Sequence, residues 1–146
     1  MKKGSTLVEN IVALSILLIA ATIAIEITIV SINSKKVRKE KEKANRVIYA
    51  IENEIKYNLK INDLNELFKK GKINYNYSED ILEELTKKPI LNIQSGEGIE
   101  IEKIDDIIIP EYEEMPIILL RVRILDNNGG VLNEREFIKS YWMEKY

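Results

Sequence analysis

The apolar positions fall into three regimes along the chain. From Ile11 to Ile32 the sequence is almost continuously apolar, 22 residues carrying one charge, Glu26. A run of that length predicts a helix about 33 Å long at ~1.5 Å per residue, enough to cross a hydrocarbon core. From Lys35 to Lys60 the apolar residues thin to Val37, Ala44, Ile48, Ile51 and Ile55, spaced 7, 4, 3 and 4 apart. That spacing marks one helical face. No Gly or Pro interrupts the passage, so one helix is predicted from about Thr6 to about Asn58. Its amphipathic stripe either packs on this protein's own sheet, the reading we favour, or faces a partner helix.

Beyond Lys60 the periods shorten. Asn62-Asp63 is placed to cap a short helix that ends at Gly71. Ile73–Tyr77 alternates, as a strand or an extended link would. Ser78 is placed to cap a helix through Leu85, stopped by Lys88-Pro89. Five strands are then expected: Ile90–Ile93, Ile99–Ile104, Ile107–Ile109, Ile117–Leu125 and Val131–Trp142. Gly96-Glu97-Gly98 and Asn127-Asn128-Gly129-Gly130 are the turns. A long helix first and an antiparallel sheet last is an α+β layout. For the last two strands the register can be specified. With Asp126 opposite Val131, paired positions sum to 257, setting Arg123 against Glu134, Arg121 against Glu136 and Leu120 against Phe137. Leu120, Val122 and Ile124 then share the apolar face.

Composition narrows the chemistry. The 146 residues hold 22 Lys and Arg against 24 Asp and Glu, a formal charge of -2, with no His and no Cys. Metal sites built on His or Cys, disulfides, Ser-His-Asp triads and Cys nucleophiles are excluded. A near-neutral balance gives no electrostatic claim on nucleic acid, and no direct nucleic-acid binding is expected. Asp126-Asn127-Asn128 offers oxygen ligands to Ca²⁺, but the spacing is not that of an EF-hand and a plain hairpin turn explains it better. Asp105-Asp106 and Glu111–Glu114 supply carboxylates without implying an acid/base pair. Tyr141-Trp142, with Tyr146, reads as edge packing rather than a stacking platform for single strands. Gly129-Gly130 lacks the Lys-Ser/Thr of a phosphate loop. No catalytic residue, metal or cofactor is assigned, and the chain is not expected to be an enzyme.

The N-terminus carries the sharpest signal. Met1-Lys2-Lys3-Gly4 precedes Ser5-Thr6-Leu7-Val8-Glu9-Asn10, and then the apolar run begins. A secretory signal peptide would have a shorter apolar core and a better cleavage site than Ala20-Ala21-Thr22. A plain membrane anchor explains the length but not Glu9, since an unpaired carboxylate in an apolar run costs a few kcal/mol. Gly4-Ser5-Thr6-Leu7-Val8-Glu9, with Val12–Leu17 behind it, resembles the N-terminus of type IV prepilins and of the pseudopilins of type II secretion and competence systems. Within that family it looks most like the minor subunits.

The resemblance implies a leader, Met1–Gly4, removed by a membrane prepilin peptidase that cuts between Gly4 and Ser5 and methylates the new amine at Ser5. It implies that Glu9 pairs with the amine of a neighbouring subunit in the fibre. It implies a pilin fold, with residues 5–34 as the transmembrane and assembly helix and residues 35–146 as an α+β head that includes the second half of the long helix. The implied partners are other pilin-like subunits, the prepilin peptidase, an inner-membrane assembly platform and membrane lipid. The implied location is the cytoplasmic membrane, single-pass with the head outside, and then a pilus or pseudopilus at the cell surface. Secretion, adhesion, motility and DNA uptake are all compatible with it.

Three positions depart from the pattern. Ser5 stands where Phe or Met is usual, which puts methylation in doubt. Asn10 replaces an apolar residue. Glu26 occupies the region where major pilins carry a helix-breaking Pro; we read it as reaching headgroups near the outer end of the span. Charge alone argues for the opposite topology, because Lys35, Lys36, Arg38, Lys39, Lys41, Lys43 and Arg46 outnumber Lys2 and Lys3. The motif, being more specific, sets the orientation. The basic cluster itself reads equally as a lipid-headgroup contact or a solvated face. The alternatives from other classes are a signal-anchored single-pass membrane protein whose extracytoplasmic head binds a ligand or another protein, and a membrane-tethered enzyme using carboxylates, which a deep cleft converging on Asp105 or Glu113 would favour.

Overall fold

A computed structural model describes residues 3–69, 71–107 and 117–144, with side chains from Thr6 onward. It divides into two compact units, Met1–Lys39 and Glu40–Tyr146. Helix α1, Lys3–Asn53, contributes to both and passes into a single π-helical turn at Glu54–Asn58. The single long helix expected to reach Asn58 is therefore present, its last turn wound more loosely than the rest.

In the second unit, α2 (Ile61–Phe68), β1 (Ile73–Asn76) and α3 (Ile81–Lys87) lead into the strands β2 (Gly98–Ile107), β3 (Ile117–Leu125) and β4 (Val131–Ser140). The four strands form one antiparallel sheet in the order β1-β2-β3-β4. This is the α+β, pilin-like architecture. The amphipathic stripe of α1 packs on the protein's own sheet: Ala44, Val47, Ile48, Ile51 and Ile55 are buried with Ile99, Ile101, Leu120, Val122, Ile124 and Phe137 in one core. Val37 leaves that stripe and is 50 % exposed; Val47 joins it.

The β3–β4 register follows the sum of 257 from Ile117↔Ser140 to Ile124↔Asn133. Leu120, Val122 and Ile124 are fully buried, so the alternation falls on the expected face. The turn closes differently. Leu125, not Asp126, faces Val131, and Leu132 is the extra residue of a bulge. Asp126 is drawn into the loop instead, where its carboxylate accepts from the N–H of Asn128 at 2.8 Å and of Gly130 at 2.7 Å. Gly129 takes the positive φ of 80° that the tight turn demands.

On the opposite face Arg121 bonds Glu136 at 2.5 Å. Arg123 lies across from Glu134 in register, yet its guanidinium turns the other way and bonds Glu102, with Glu100 at 3.8 Å. The β3 arginines thus sit between acidic rows on β2 and β4. The hydrogen bond from Arg123, against a lesser effect of burial, holds the Glu102 carboxyl below its usual range.

Five local expectations are corrected. Asn62-Asp63 does not cap α2; they lie in its first turn, and Glu144 reaches across to accept the Ile61 N–H. Ser78 does not cap α3, which starts after Asp80 without a side-chain cap. Ile90–Ile93 is not a strand: Ile90–Asn92 is a 3-10 turn, whose three-residue repeat lets Ile90 and Ile93 bury on the same side. Ile99–Ile104 and Ile107 belong to one strand, continuous past Asp105-Asp106 because Ile104 is accommodated in a bulge. Ile108 and Ile109 lie outside the described residues. Finally, β4 stops at Ser140, and Tyr141–Glu144 forms a 3-10 turn in which Tyr141 and Trp142 meet edge to face at 5.4 Å.

Candidate processing and assembly helix

The first unit is the N-terminal stretch of α1. Gly4 and Ser5 lie in its first turn. Glu9 follows one helical turn after Ser5 and is exposed. After a cut between Gly4 and Ser5, the new amine would stand at the positive end of the helix dipole, where a cation is disfavoured. Glu26 is also exposed.

The apolar run is unpartnered. The thirteen Ile, Leu and Val side chains between Ile11 and Ile32 are each between 51 and 65 % exposed. Covering such residues is worth about 1.5–3 kcal/mol apiece, so this surface requires lipid or packed helices around it. Its polar residues are arranged to suit both. Ser15 donates to the Ile11 carbonyl at 2.8 Å, Thr22 to that of Ile19 at 2.8 Å, and Thr28 to that of Ala24 at 2.8 Å. Each of these three hydroxyls is satisfied by its own helix and needs no outside acceptor. Among the described residues one helix is long and apolar enough to cross a membrane.

In the second unit a polar seam joins α1 to β4. Glu52 bonds Lys56 at 2.6 Å and Arg135 at 3.0 Å, and Arg135 and Asn133 each approach Asn45 at 3.4 Å. Burial pushes the Glu52 carboxyl up, but the bonds from Lys56 and Arg135 outweigh it and the net direction is down. Lys139 is fully buried, and its ammonium donates to the Lys56 carbonyl at 2.5 Å, in the middle of the π turn. Burial pushes the Lys139 ammonium below the usual lysine range, and the nearby Glu144 carboxylate partly restores it. These groups brace the head. The sequence held one signal for them, the four-residue spacing of Glu52 and Lys56; the partners on β4 become visible only once the register is known.

The other candidates resolve as local structure. The Asp126 carboxylate serves its own loop, and no group of three acidic side chains suited to a metal occurs among the described residues. Asp106 pairs with Lys103 at 2.7 Å. Glu111–Glu114 and Tyr146 fall outside the described residues. Of the basic cluster, Lys43 lies over the Tyr77 ring at 5.8 Å.

Residues 1–25 match a family model described as the prokaryotic N-terminal methylation motif. No curated protein and no solved structure matches the chain. With that motif ahead of a long helix and a four-stranded sheet, the chain is similar to the type IV pilins and pseudopilins, which are structural proteins processed by a prepilin peptidase.

Proposed function

We propose that this pilin-like chain is a minor pilin or pseudopilin subunit, cut between Gly4 and Ser5, methylated at Ser5 and assembled into a type IV pilus or a secretion or competence pseudopilus. One observation carries the reading: the methylation motif opens a continuous helix whose apolar run from Ile11 to Ile32 is exposed along its whole length. Before assembly, lipid covers that surface; in the fibre, the same helices of neighbouring subunits do. Glu9 of one subunit pairs with the Ser5 amine of the next, offsetting the cost of two charges among apolar helices and fixing the register between subunits. The partners are then other pilin-like subunits, the prepilin peptidase and an inner-membrane assembly platform. The head faces outside before and after extraction. The absence of a Pro in the helix and the polar Asn10 support a minor rather than a major subunit.

N-terminal sequencing of protein extracted from membranes tests the processing step. The expected first residue is Ser5, and loss of Lys2 and Lys3 leaves 20 basic against 24 acidic residues, a formal charge of -4. A start near Ile25 would mean a conventional signal peptide and overturn the proposal. Glu9→Ala tests assembly: cleavage and head stability stay unchanged while incorporation into filaments drops. Normal incorporation of that variant removes the pairing role.

A further inference from the structure

We propose that Lys35, Lys36 and Lys39 of α1 form a binding surface for the phosphates of anionic phospholipids, holding the subunit in the bilayer until it is extracted. The inference rests on α1 crossing the membrane, and its lipid measurement does not depend on fibre assembly. The apolar run ends at Ile32. At ~1.5 Å per residue, Lys35 stands about 4.5 Å and Lys39 about 10.5 Å further along the axis. The polar layer on each side of a hydrocarbon core is about 5–7 Å deep. The two nearer lysines therefore lie within that layer, and Lys39 reaches back to it with a flexible stem.

On the helix Lys39 stands about 40° and Lys36 about 100° round from Lys35, so Lys39 lies between the other two in angle and all three share one face. They are exposed, and among the described residues none makes a hydrogen bond or ion pair with them. Their helix neighbours concentrate the charge. Lys39 has Lys35 and Lys36 on the preceding turn and Lys43 on the following one, against Glu40 and Glu42. Like charges at these spacings repel, and with four lysines against Glu40 and Glu42 the stretch stays net positive. Lys43 is already engaged by the Tyr77 ring, which separates it from the other three. The continuity of this cationic face with the apolar run selects a lipid phosphate over an acidic protein surface. A lysine held at an anionic membrane surface strengthens association about fivefold.

The test uses the full chain in vesicles of equal phosphatidylcholine and phosphatidylglycerol, with trace spin-labelled lipid of either headgroup. Electron paramagnetic resonance reads the relative association of the two. The expected result is a preference for phosphatidylglycerol of about threefold or more. It falls towards unity in Lys35→Gln/Lys36→Gln/Lys39→Gln and in about 0.5 M salt. The control Lys87→Gln/Lys88→Gln, on the head, retains it. Helicity and Trp142 emission verify that each variant is folded. No preference in the native chain, or the same preference in the triple variant, overturns the proposal. A triple variant that assembles poorly while the native chain shows no lipid preference assigns the face to an acidic protein instead, and also overturns it. A mature chain beginning elsewhere than Ser5 would refute the processing proposal and leave this one standing.

Discussion

Glu52→Gln keeps the shape of the side chain and removes its charge from the seam between α1 and β4. The carboxylate side chain is 11 % exposed, bonded to Lys56 at 2.6 Å and to Arg135 at 3.0 Å. At 3 Å and an effective dielectric constant of ~20, a unit charge pair gains about 5 kcal/mol. Taking the carboxylate out of water, and the partial exposure of Arg135, offset most of that. A net loss of about 1–3 kcal/mol is expected for the single variant. With Arg135→Gln as the second arm of a double-mutant cycle, the coupling should be about 1–2 kcal/mol. Trp142, the only tryptophan, reports urea unfolding of the full chain in detergent micelles. The pH dependence supplies an independent check. The folded carboxyl titrates below its ordinary 4.5, so between the two values the unfolded chain binds more protons. The stabilisation is therefore complete above about 4.5 and is lost as pH falls through the folded value. Glu52→Gln should flatten that acid slope, leaving the part due to Glu102. A coupling under about 0.3 kcal/mol, or an unchanged slope, would show that the seam is a solvated contact without energetic weight.

Two further outcomes concern the core and the alkaline limb. Leu120→Ala, at a fully buried position on the central strand β3, should cost about 2–5 kcal/mol by urea unfolding; a cost under 1 kcal/mol would contradict the packing described. Because burial lowers the folded pKa of Lys139, the folded chain binds fewer protons there, and stability should rise with pH from that folded value towards 10.5. Lys139→Met should abolish the rise, while Tyr75 and Tyr77, both raised chiefly by burial, should still erode stability above pH 10 in either protein. A native chain without the rise would refute the assignment.

Much of the architecture was written in local periodicity. Ala44, Ile48, Ile51 and Ile55 announced a buried face because a helix repeats that face regardless of what covers it. The charge alternation of Arg121 and Arg123 against Glu134 and Glu136 announced the β3–β4 register because a one-residue slip would turn Leu120 outward. What misled was the ends. Ile90–Ile93 is too short to separate a strand from a 3-10 turn by pattern. Asn62 and Ser78 are good capping residues in general, but α2 takes its cap from Glu144, 83 positions away from Ile61. Arg123 chose Glu102 over its cross-strand neighbour, a diagonal choice that a two-strand register leaves open. The N-terminal motif was legible because processing acts on sequence, ahead of any fold.

The clasp around the π turn has a temporal consequence. Ile61 with Glu144, Lys56 with Lys139, and Glu52 with Arg135 are each joined across 83 positions. A ribosome adding ~5–20 residues per second takes roughly 4–17 s to cover that distance. Throughout that interval α1 exists without its brace, and Ala44, Ile48, Ile51 and Ile55 have no β3 or β4 to cover them. The long-range contacts repay the entropy of loop closure only when the last strand arrives. The buried stripe of α1 therefore stays uncovered until the chain is nearly complete, and the head closes last, by order of synthesis alone.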